Sequence, residues 1–343
     1  MATNRSIEAL IEDWAPQLQR AFLDAVYAMR DRAQIELIAE LLEKGDVDGA
    51  IRAVGLDPVS LRTFDETLAK AFEAGGRAVT DSIPALREAS GHILKVLFDV
   101  RNPAAQEWLR THSSWLITEV MADQREMIRN FLVAGMEAGN NPKTVALDLV
   151  GRVNKRTGRR EGGVIGLTSS QSEWVRSYEA RLRSGDPAQM RAAMEMELGD
   201  ERFDPTVEKA IREGKPIPAA KITKMVEAYK NRALRYRAEV IGRTEAMTSL
   251  HEAQMQGWRQ AIDRGQVKVE TLVKVWASAR DERVRGTHRV LNGQAIPFEA
   301  SFVSPSGATL RYPGDPKAPV REIAMCRCHM TVRMDFLAQR NGR

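Results

Sequence analysis

The chain has 343 residues, 43% of them hydrophobic and 28% charged, an ordinary globular balance with room for two or three cores. No apolar run approaches the roughly 18 residues of a spanning helix, and the opening residues, Met1 to Glu8, lack the apolar core of a secretory signal. Two cysteines separated by one residue exclude a disulfide framework, so the chain reads as made in a cytoplasm; the net charge of +5 favours polyanionic partners without requiring one.

The first 82 residues read as helices. Ser6 is placed to cap a helix in which Ile7, Leu10, Ile11, Trp14, Leu18, Phe22 and Val26 share one face, and Pro16 is expected to kink or divide it. Amphipathic stretches follow at about 32–44 and 58–75, set apart by Gly45-Asp46 and Asp57-Pro58. Residues His92 to Val100 are richer in β-formers and read as a single strand or a short buried helix. Asn102-Pro103 then opens a helix to about Gly139, and a short one is expected over 143–151.

Residues 152–166 have no apolar period and are expected to form a loop. Arg152, Lys155, Arg156, Arg159 and Arg160 lie there with no acid among them, a candidate contact for the phosphates of double-stranded DNA. A second basic stretch, Lys221 to Arg243, carries seven cations against two glutamates. Solvated surface is the competing reading of both, and too few aromatics interleave for a base-stacking platform. Thr168-Ser-Ser-Gln171 looks like a helix start. The longest predicted element is a helix from Thr223 to Arg264, with Gly242 the expected place for a bend and Gly265 the stop. His251, on its apolar stripe, reads as a satisfied core residue.

After Gly265 the pattern changes. Strands are predicted at Leu272–Trp276, Gln294–Phe298, Ala308–Tyr312 and Cys328–Met334, with a short helix from Asp281 to Leu291 stopped by Asn292-Gly293. The fold class is therefore a mainly α N-terminal and central region with a long helix, followed by a small α+β C-terminal module. The divisions expected are 1–90, 91–219, 220–336 and a polar tail at 337–343.

Both cysteines and two of the five histidines fall in this last quarter. Ile241-Gly-Arg-Thr-Glu245, Trp276, the Asp281, Arg283, Arg285 and His288 run, Leu291-Asn-Gly293, Tyr312-Pro-Gly-Asp-Pro316 and Cys326-Arg-Cys328 occur in one order. Together they resemble the phage Mu F-like minor head protein family, the phage head morphogenesis proteins, over about 220–336. Val100 to about Trp174 looks like the N-terminal half of such proteins. The resemblance implies a virion protein, made in bacterial cytoplasm and incorporated inside the procapsid, and a non-enzymatic role is the leading expectation. Its implied partners are the portal protein, capsid or scaffold proteins and non-specific double-stranded DNA, with no membrane. Some relatives are fused to toxins, and no toxin domain is expected after Met334 here. One departure stands out: Met325 occupies the place where the family usually has Asn.

The rare side chains admit two chemistries. His288, Cys326 and Cys328, with Asp281 or His329 as a fourth, have the donor types of a zinc site. A Cys-x-Cys pair on a strand turns both sulfurs to one face and His329 to the other. Alternatively, the thiols are small buried hydrophobes beside a hydrogen-bonded histidine. A hydrolase or transferase using Asp281, His288 and Cys326 is the alternative function, weakened by the absence of a phosphate loop or nucleophile elbow in the sequence. Arg283 and Arg285 are expected to form structural charge pairs.

Overall fold

The computed structural model describes residues 6–83, 86–87, 93–94 and 97–334. His92 and the 337–343 tail lie outside the described residues. In chain order come helices α1 (Ile7–Arg32), α2 (Ile35–Glu43), α3 (Val47–Ala53) and α4 (Arg62–Ser82), then strands β1 (Leu86–Arg87) and β2 (Ile93–Leu94). Next are α5 (Pro103–Glu137), α6 (Pro142–Val150), β3 (Arg152–Val153), β4 (Arg160–Glu161), α7 (Ser169–Arg183), α8 (Pro187–Met194) and α9 (Asp204–Glu213). The 45-residue α10 (Ala219–Asp263) follows. The chain then passes through β5 (Leu272–Ser278), α11 (Gly286–Leu291), β6 (Ala295–Pro297), β7 (Phe302–Val303), β8 (Thr309–Leu310), α12 (Val320–Ile323) and β9 (Cys328–Met334). No described helix is long and apolar enough to cross a membrane.

Two compact units are present, each assembled from separated segments: residues 1–22, 63–114 and 239–343 in one, 23–62 and 115–238 in the other. In the first unit, β5 lies between β6 and β9, antiparallel to both, with Trp276 opposite Met330 and Ser278 opposite Cys328. Leu272, Lys274, Trp276 and Ser278 alternate inward, the period-two burial of a one-faced sheet. Against α4, Phe72 stacks on Trp108 with ring centroids 5.1 Å apart, and Trp108 stacks on His112 at 4.6 Å. His112 in turn meets the buried Glu245 carboxylate at 2.7 Å.

The expected break at Pro16 is absent, because α1 continues through it. Proline removes one helical hydrogen bond, and burial of Leu10, Ile11, Leu18, Phe22 and Val26 along one face outweighs that loss. Likewise α10 runs unbroken through Gly242. There the glycine serves a close approach instead: a Cβ would lie 2.6 Å from the Ala15 carbonyl oxygen of α1.

In the second unit, α7 starts where expected, with the Thr168 and Gln171 side chains forming a reciprocal capping box. The 152–166 stretch is not a structureless loop. Its first half is a β3–β4 hairpin with Arg152 opposite Glu161. Its second half is a buried strap running on to Leu167, in which Val164, Ile165 and Leu167 have no exposed surface. The buried Arg30 guanidinium donates to the carbonyls of Ile165, Gly163 and Arg160, and the Gln124 amide bridges Gly166 N and Leu167 O. Backbone groups buried without a ladder need such partners.

Candidate functional site

The site is built where the end of the chain folds back on the C-terminal half of α10. Each residue of the Gly242 to Glu245 run has its own task. Gly242 admits α1, and the Arg243 guanidinium donates to the Cys326 carbonyl at 3.1 Å and pairs with Glu12. The Thr244 hydroxyl accepts the Met325 N–H, and Glu245 holds His112. One turn further on, the Thr248 hydroxyl donates to the Gly314 carbonyl at 2.8 Å. Tyr312 OH donates to Glu252 at 2.7 Å, and Arg311 binds both Glu252 and Asp315. The Tyr-Pro-Gly-Asp-Pro turn is thereby docked on the helix by buried charge-assisted bonds.

His251 is fully buried. Its Nδ1–H donates to the Met247 carbonyl and its Nε2 accepts the Met330 N–H of β9, which requires the neutral ring. Burial lowers its pKa to about 3. Lys274, inward-facing on β5, donates to the carbonyls of Ala300 and Arg311, tying the two following loops to the sheet.

Beside this network lies the thiol–histidine cluster. His288 projects from α11, Cys328 opens β9, and Cys326 precedes that strand. Cys326 therefore reaches its partner from the turn after Met325, whose backbone is left-handed at φ 53°. The His288 Nδ1 atom lies 3.3 Å from Cys326 Sγ and 3.6 Å from Cys328 Sγ. Its Nε2 donates to Glu322 at 2.9 Å. Glu322 also accepts from Ser306 at 2.6 Å and from Thr287 at 3.2 Å. Against a desolvation that alone would raise it, these bonds hold the Glu322 carboxyl below its usual range. The hydrogen bond from Cys328, joined by His288, brings Cys326 well below the usual thiol value despite burial. The same shared proton and burial push Cys328 far above it. Asn292 completes the frame by accepting the Ser278 N–H at the end of β5.

Not every expected member joins. The Asp281 carboxylate is turned away from the sulfurs and engaged by the Arg327 guanidinium at 2.8 Å and the Arg283 N–H at 3.1 Å. The helix begins only at Gly286 rather than at Asp281, so Asp281 and His288 do not share it. Arg285 donates to the Ala324 carbonyl rather than to a carboxylate. The Arg283 side chain is exposed and has no ion pair among the described residues. His329 faces the other way and lines a cavity of about 280 Å³ with Val79, Gln254 and Trp258. Glu322 and Arg327 were not anticipated. A short helix hides the glutamate from any periodicity, although a carboxylate four residues before Cys326 is a weak local cue.

Of the five cations at 152–160, three are engaged. Arg152 pairs with Asp148 and Glu227, Arg159 with Asp24 and the face of Tyr27, and Arg160 with Asp31. Lys155 and Arg156 stand exposed at the hairpin tip without an ion pair among the described residues.

Residues 201–331 match the family described as Phage Mu protein F like protein. The match bears out the resemblance read over about 220–336, and it begins some twenty residues earlier; it does not extend to the stretch from Val100 to about Trp174. No curated protein and no solved structure matches the chain.

Proposed function

We propose that this is a minor capsid or head morphogenesis protein of a tailed phage or prophage. It is made in the bacterial cytoplasm, built into the head interior beside the portal protein, and touches packaged double-stranded DNA. The reading is carried by the family match over 201–331, within which the motif residues are spent on docking the terminal module to α10. Capsid or scaffold proteins are the further expected partners. Co-expression of the full chain with the portal protein tests the portal part: the two should co-sediment as one assembly, and separate sedimentation would contradict it.

The DNA part rests on the hairpin tip. Each phosphate neutralised contributes about −0.9 to the slope of log affinity against log salt, so replacing Lys155 and Arg156 together by Ala should flatten that slope by about 2 units. An unchanged slope would take the hairpin out of the DNA contact.

A Cys–His hydrolase or transferase is less well supported. Cys326, His288 and Glu322 do follow the order nucleophile, base, orienting carboxylate. Yet His288 and Cys326 are each 1% exposed and Cys328 3%, which leaves a substrate no approach to the sulfur.

A further inference from the structure

We infer that His288, Cys326 and Cys328 form a binding site for one thiophilic divalent cation of the zinc class, with His288 Nδ1 and the two Sγ atoms as donors. The inference does not rest on the head-protein reading and would stand if that reading fell.

The three donor atoms lie within 4.8 Å of one another, and all three residues are buried. Zinc–nitrogen bonds of about 2.05 Å and zinc–sulfur bonds of about 2.3 Å at tetrahedral angles set nitrogen-to-sulfur edges near 3.5 Å. The observed separations of 3.3 and 3.6 Å bracket that edge. A hydrogen-bond relay from Cys328 to Cys326 to the ring accounts for less, since it uses the Nδ1 lone pair for one sulfur and gives no reason for the other to lie 3.6 Å from the same atom.

The surroundings are those of a ligand set rather than of two thiols filling space. Glu322 takes the Nε2–H, which fixes the tautomer that leaves Nδ1 bare, and is itself held by Ser306 and Thr287. A carboxylate behind a ligating histidine raises its basicity and sets its ring. Trp276 has no exposed surface, lies edge-on to His288 at 5.0 Å, and its indole N–H meets no N or O acceptor among the described residues, only the weak one that the Cys328 sulfur offers. A metal-bound thiolate beside it would supply an acceptor that a protonated thiol supplies poorly.

Charge balances as well. Two thiols each release a proton on binding, and two thiolates with a neutral imidazole cancel a charge of +2, so no net charge is buried at the ion. Among the described residues no fourth donor joins the group, so the ion would complete its shell with a water molecule.

The test uses the full chain purified without added chelator. Elemental analysis should find about one zinc ion per chain. Metal-free protein, checked for folding by near-ultraviolet circular dichroism, should take up one Co²⁺ with sulfur-to-cobalt charge-transfer absorption scaled to two thiolates. Zinc should then displace it. Glu322→Gln, which keeps an acceptor for the His288 N–H, should remain folded and bind about 10- to 100-fold more weakly. Folded metal-free protein that takes up neither ion would overturn the inference. So would cobalt uptake that persists, without thiolate absorption, in the Cys326→Ser/Cys328→Ser double variant.

Discussion

Met325 has a β-carbon in the left-handed region, where L-residues other than Gly and Asn are disfavoured by about 1–2 kcal/mol. That strain leaves the departure seen in the sequence without a structural explanation. The family's usual Asn at this position suits the backbone, and the Met325 N–H rather than its side chain makes the contact with Thr244. Met325→Gly should therefore raise the free energy of unfolding in urea by about 1 kcal/mol, less the cost of a more flexible unfolded chain. A variant less stable than the parent would show that the methionine side chain matters more than the turn. His251 gives a pH-dependent counterpart. Its folded value of about 3 is below the ordinary 6.5, so below pH 6.5 the unfolded chain takes a proton that the folded one refuses. Its contribution is present above 6.5 and drains as pH falls toward 3, by about 1.4 kcal/mol per unit. Going from pH 7 to 5.5 should cost the parent about 1.3 kcal/mol more of its unfolding free energy than it costs His251→Gln. Equal losses would mean that the ring is not held neutral.

At the scale of elements, how much could be read depended on whether a signal is local. The strand β9 was legible from its first to its last residue, because Cys328, Met330 and Val332 alternate with His329, Thr331 and Arg333. The α7 start was legible because a capping box is written in four consecutive residues. Two-residue strands carry no period, so the β3–β4 hairpin was hidden, as was the buried strap that depends on Arg30 more than a hundred residues away. Pro16 read as a kink or division and Gly242 as a bend, whereas both helices continue through these residues. The His288, Cys326 and Cys328 grouping followed from residue type and proximity in the chain. The Glu322 support and the Asp281–Arg327 pair did not, since each depends on how loops return to the sheet. Gly242→Ala makes the packing claim measurable: a Cβ placed 2.6 Å from one backbone oxygen and 2.7 Å from the Gln19 nitrogen has no soft neighbour to displace. The variant should lose about 1–3 kcal/mol, whereas helix propensity alone would stabilise it by nearly 1. A more stable Gly242→Ala protein would refute the close approach.

For the whole molecule, the family match covers the later part of the chain, and its motifs are used for internal docking on α10. Such a build suits a protein whose work is to be held in an assembly. The C-terminal module is buried and braced, while the β3–β4 tip stays exposed. The sequence already pointed here through the order of its motifs. It could not indicate that each unit is stitched from distant segments, because helices α1, α5 and α10 each contribute to both. Cryo-electron microscopy of procapsids assembled with and without this chain tests the central claim most directly. Extra density inside the shell at the portal vertex, lost when the chain is omitted, is the expected result. Procapsids that are indistinguishable with and without it, and free of the chain by mass spectrometry, would contradict a role in the head.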